Sequence, residues 1–99
     1  MCGAPAQEEL DRSGIPAGET VVQGRVLRDG EPVPGAYVRL LGETGEFTAE
    51  VVTSASGVFR FFAKPGPWTV RALAPGDASG QTDVTLSEGD VKDVQITVS

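Results

Sequence analysis

An all-β fold, a single seven-stranded antiparallel β-sandwich behind a flexible N-terminal tail, follows from three observations. Short runs rich in valine, phenylalanine and threonine recur through residues 19–99, with apolar and polar side chains alternating. Each run ends in a cluster of turn formers: DGEPVPG, GETG, TSASG, KPGP, APGDASG and SEGD. No stretch carries the helical spacing of apolar residues that a buried helix face needs.

Taken in order, residues 1–18 hold Gly3, Pro5, Gly14, Pro16 and Gly18 and no sustained period. QEELDR can close a helical turn but has no apolar face to bury, so 1–18 is expected as a tail carrying Cys2 and 19–99 as one domain. TVVQGRVLR is the first strand, with Val22 and Val26 pointing inward. AYVRLLG adds Ala36, Val38 and Leu40, and FTAEVVT follows it as the third strand. VFRFFA contributes Phe59 and Phe61, and WTVRALA contributes Trp68, Val70 and Ala72. GQTDVTL brings Val84 and Leu86, and VKDVQITV brings Val94, Ile96 and Val98. Each large apolar side chain buried contributes about 1.5–3 kcal/mol before conformational entropy is subtracted, enough for one small core.

Composition narrows the chemistry. Fourteen acidic against eight basic residues give a formal charge of −6, which argues against nucleic acid or anionic membranes as partners. A lone cysteine permits no internal disulfide. The absence of histidine removes Ser-His-Asp and Cys-His catalysis and most zinc sites. No phosphate-cradling glycine loop and no EF-hand spacing occurs. No apolar run approaches the ~20 residues of a membrane span, and no basic-then-apolar leader opens the chain. The expectation is a cytoplasmic, non-enzymatic protein without cofactor or metal. The first and last strands, as sandwich edges, leave homo-oligomeric pairing open.

Two resemblances sharpen this. VVQGRVLRDGEPVPGAYVRL followed by TSASGVFRFFAKPGPWTVRALA resembles the carboxypeptidase regulatory-like sandwich, a relative of transthyretin-like domains, over roughly Glu19 to Ala74. Transthyretin-like hydroxyisourate hydrolases depend on histidines and a C-terminal tetrapeptide, whereas this chain has no histidine and ends ITVS. Pilin-type sandwiches form Lys–Asn isopeptide bonds, and there is no asparagine here. Across the whole chain, MCGA, VRLLGETGEFTAEVVTSASGVFRFFA and WTVRALAPG resemble an actinobacterial SseC-like family of unknown function, associated with rhodanese-type thiosulfate sulfurtransferases. That resemblance implies an accessory role in sulfur metabolism, with such a sulfurtransferase as partner.

Cys2 is then the candidate persulfide acceptor. Removal of Met1 leaves an N-terminal cysteine whose α-amine, with a reference pKa of about 7.7–8.0, favours the neighbouring thiolate. A tail of roughly sixteen residues spans about 20–24 Å r.m.s., long enough to reach a partner's cleft. The competing readings are an inert thiol, metal chelation through amine and thiolate, and the lipidated first residue of a lipoprotein.

A second constellation is the outward phase of the strands. Arg25, Arg39, Arg60 and Arg71 occupy it, with Tyr37, Leu41, Phe62 and Leu73 beside them. If their strands share a sheet, Arg39, Arg60 and Arg71 with Tyr37 and Phe62 form a binding face for oxyanions or a carboxylate-bearing partner. If not, they are a solvated surface of weak pairs with glutamates.

Overall fold

The computed structural model describes residues 15–99. Cys2, and with it most of the expected tail, lies outside the described residues. Eight strands follow in order: β1 (Val21–Arg28), β2 (Glu31–Pro32), β3 (Tyr37–Leu41), β4 (Phe47–Val52), β5 (Val58–Phe62), β6 (Gly66–Ala74), β7 (Ala78–Leu86) and β8 (Val91–Thr97). They form two four-stranded sheets packed face to face, so the all-β sandwich holds. In sheet I, β1 is central, with β5 and β2 along one side and β8 along the other. Sheet II has the order β4-β3-β6-β7.

Two features depart from the seven antiparallel strands expected. Asp29 and Gly30 both have positive φ, 53° and 82°, and Arg28 pairs with Glu31. A two-residue turn of that kind matches strand twist and reverses the chain at once, so β2 forms where the alternation showed only loop. Pro32 ends it at the sheet margin, where a missing N–H is tolerated. The second departure is the β1–β8 ladder, which is parallel from Val21↔Val91 to Leu27↔Thr97. β8 follows a crossover from sheet II, so the hairpin constraint that makes sequential neighbours antiparallel does not act on it.

The core lies between the sheets. Val22, Val26, Ala36, Val38, Leu40, Phe59, Phe61, Val70, Ala72, Val84, Leu86, Ile96 and Val98 are buried there as their alternation requires, joined by Ala74 and Ala78. Trp68 and Val94, expected inside, are half-buried against this core. Trp68 sits at the sandwich margin, where its indole N–H donates to the Lys64 carbonyl at 2.8 Å.

Two glycines let β8 dock. A Cβ on Gly24 would lie 1.9 Å from the Val94 carbonyl oxygen, and one on Gly80 would lie 2.2 Å from that of Thr97. Ser79 and Ser99 then exchange backbone hydrogen bonds of 3.3 and 3.2 Å, which tie the chain's last residue to β7.

Candidate interaction face

Strand order divides the outward arginines between opposite sides of the molecule. Arg25 and Arg60 stand on sheet I, and Arg39 and Arg71 on sheet II. The single arginine face anticipated from the alternation is therefore two faces. Phe62 goes with Arg60, whereas Tyr37, Leu41 and Leu73 go with Arg39 and Arg71.

On sheet I, cross-strand register lines up Arg60, Gln23 and Asp93. Arg60 Nε donates to Gln23 Oε1 at 2.8 Å, and Gln23 Nε2 donates to Asp93 Oδ1 at 3.1 Å. Gln23 is 1% exposed, so this chain of hydrogen bonds satisfies an amide that the sheet has removed from water. Val21, in the same outward phase, is also fully buried. Arg60 is thus engaged within sheet I. Phe62, 52% exposed, lies beside Val21 at the far end of β5.

Sheet II presents a different surface. Its rows, read across β4, β3, β6 and β7, are Val52–Tyr37–Leu73–Ser79 and Glu50–Arg39–Arg71–Gln81. A third row brings Leu41 opposite Phe47 on one side and Thr69 on the other. Tyr37, Val52 and Phe47 are 53%, 56% and 61% exposed. Apolar groups thus flank a polar row holding two guanidinium groups and one carboxylate. Arg39 Nε donates to Glu50 Oε2 at 2.8 Å. Arg71 stands directly opposite Arg39, and like charges so placed repel. Arg71 is exposed and has no ion-pair partner among the described residues. Val52 and Phe47 complete a patch of which the alternation names Tyr37, Leu41 and Leu73. Neither Val52 nor Phe47 is named from the sequence, because FTAEVVT is placed there as a strand without assigned faces.

At the head of β4, the GETGE turn holds Glu43 and Glu46, both exposed. The Thr44 hydroxyl and N–H both donate to Glu46 Oε1. The hydroxyl bond foremost, then one from Glu46's own N–H and the weaker one from the Thr44 N–H, hold the Glu46 carboxyl below its ordinary 4.5. No group of three or more potential metal ligands occurs among the described residues, and no helix there is long and apolar enough to cross a membrane.

The architecture is that of a transthyretin-like sandwich. The Klebsiella pneumoniae 5-hydroxyisourate hydrolase aligns with a TM-score of 0.59 and 24% identity, over 78% of this chain and 87% of its own. A DUF3823 family protein from Parabacteroides merdae aligns at 0.61 and 17%, over 85% of this chain and 47% of that one. These likenesses carry the fold alone. The chain itself belongs to the family described as protein of unknown function (DUF1416), whose model matches residues 2–98. The uncharacterized Mycobacterium tuberculosis proteins Rv0814c and Rv3118 are each 52% identical over 98 residues, covering 93% of this chain and 98% of theirs. An uncharacterized protein of Mycolicibacterium smegmatis is 51% identical over 84 residues, 84% of this chain and 83% of that protein.

Proposed function

We propose that this is a non-enzymatic accessory protein that docks a partner protein through the outer face of sheet II. The observation that carries the reading is the cross-strand pair Arg39–Arg71, served by one carboxylate and set between exposed Tyr37, Val52 and Phe47. Tyrosine and arginine dominate the residues that hold protein interfaces together, and apolar neighbours that exclude water strengthen them. A carboxylate on the partner would supply the second anion that this row lacks. The resemblance of the sequence to proteins associated with thiosulfate sulfurtransferases makes a rhodanese-type enzyme the proposed partner, and the cytoplasm the proposed compartment. In this reading the Cys2 thiolate attacks the terminal sulfur of the partner's cysteine persulfide. The S–S bond breaks, the sulfane sulfur passes to Cys2 as a persulfide, and the partner leaves as a thiolate.

The test combines binding and mass. The full chain is titrated with a rhodanese-type sulfurtransferase loaded from thiosulfate, and its intact mass is read before and after. Binding weakened tenfold or more by Arg71→Glu and by Tyr37→Ala supports the docking face. A reducible gain of one sulfur, lost in Cys2→Ser with binding unchanged, supports the relay. Binding without sulfur gain leaves a plain interaction module in which Cys2 has no part. No binding to the active enzyme removes that class of partner.

A further inference from the structure

Among the described residues strand β4 is an edge of sheet II, and only half of its backbone is paired there. The Thr53 N–H donates to the Ala36 carbonyl at 2.9 Å, which sets the phase of the β3–β4 ladder. Val51 and Ala49 therefore direct their N–H and C=O groups at β3, and those of Glu50 and Val52 point away from the sheet. Such a row is a template for another strand unless proline, lysine or a covering element blocks it. FTAEVV contains neither proline nor lysine. The opposite edge of this sheet is tied down by the Ser79–Ser99 hydrogen bonds.

We propose that the β4 edge takes up an extended segment of another protein, with side chains that alternate between apolar and basic. Side chains turned toward the core would lie beside Ala49 and Val51, which are half-buried at the sandwich margin, so apolar groups complete their burial. Those turned outward would lie beside Glu50 and Val52. Arg39 engages only Oε2 of Glu50, leaving Oε1 for a second cation. Glu43 and Glu46 add two exposed carboxylates at the head of the strand. The methylene stem of a lysine or arginine can cover Val52 and Tyr37 while its charge reaches the Glu50 carboxylate two residues along. A second copy of this chain fits less well. Each copy carries −6, and two-fold pairing about Glu50 sets that residue against itself. The edge adjoins the docking face and shares Glu50, Val52 and Tyr37 with it, but backbone pairing along β4 does not depend on that face's partner or on the sulfurtransferase.

The full chain, labelled with nitrogen-15, is titrated with the peptides Ac-KVKVKVK-NH2 and Ac-EVEVEVE-NH2. The basic peptide is expected to shift the Glu50 and Val52 amide signals and slow their hydrogen exchange at least tenfold, and the acidic one to do neither. Val52→Pro removes an outward N–H that no strand uses, so it leaves the ladder to β3 intact and abolishes the effect. Glu43→Lys, in the exposed turn, weakens binding of the basic peptide several-fold without touching β4. Unshifted β4 amides at millimolar basic peptide overturn the proposal. So does equal binding of the acidic peptide, or, where Glu43→Lys is also without effect, a response that survives Val52→Pro. Protection of these amides that grows with protein concentration alone assigns the edge to self-pairing and overturns the heterotypic proposal.

Discussion

Thr53 shows how one side chain fixes the geometry on which the β4 edge depends. It is 5% exposed, and its hydroxyl both donates to the Val33 carbonyl at 2.7 Å and accepts from the Ala36 N–H at 2.8 Å. Its own N–H and carbonyl serve Ala36 and Gly35. The Val33–Ala36 turn is thereby pinned to the end of β4. Thr53→Val keeps the shape but leaves a buried N–H and a carbonyl without their partner, at a cost of about 1–3 kcal/mol. Urea unfolding is expected to show a lower midpoint at an unchanged slope. An unfolding free energy within about 0.5 kcal/mol of the parent's would mean that water replaces the hydroxyl and that the turn is not held this way.

At the scale of elements, the docking of β8 on β1 is decided by a missing side chain. Gly24 lies where any Cβ would meet the Val94 carbonyl at 1.9 Å, and backbone cannot step aside as a flexible side chain can. Gly24→Ala is expected to destabilise by about 3 kcal/mol, the upper end for overpacking. Thermal or urea unfolding measures it, and a loss under about 0.5 kcal/mol would show that β8 slides along β1 without penalty. None of this is legible in VVQGRVLR, where Gly24 reads as one more inward position. Alternation reports which side of a strand faces the core, so the buried phases of AYVRL, VFRFF and VQITV are visible in the chain. It says nothing about which strand lies next to which. Hence Arg60 could not be separated from Arg71, nor the parallel partner of β1 identified. The DG turn was legible as a turn, but its positive φ at both residues, and so β2, was not. Val21 and Gln23 are buried against their phase, because burial on the outer side depends on what crosses over a sheet rather than on the strand's own pattern.

For the molecule as a whole, the parallel β1–β8 pair joins residues near the two ends of the domain, so the sandwich closes only when the last strand arrives. Such non-local pairing favours slow, all-or-none folding. Ile96, 1% exposed, is the deepest side chain of β8, and it belongs to the same core as the sheet II residues Val38, Leu40 and Val70. Trp68 provides an optical probe on sheet II, far in sequence from Ile96. If both sheets share one cooperative core, Ile96→Ala must weaken the environment of Trp68 as much as the strand content. The expected loss is about 2–5 kcal/mol, read equally by Trp68 fluorescence and far-UV circular dichroism with coincident transitions. A Trp68 transition that stays at its parent midpoint while the dichroism shifts would divide the sandwich into two units. In that case sheet II could keep the Arg39–Arg71 face and the β4 edge without β8, and a partner would meet a four-stranded surface rather than a closed domain.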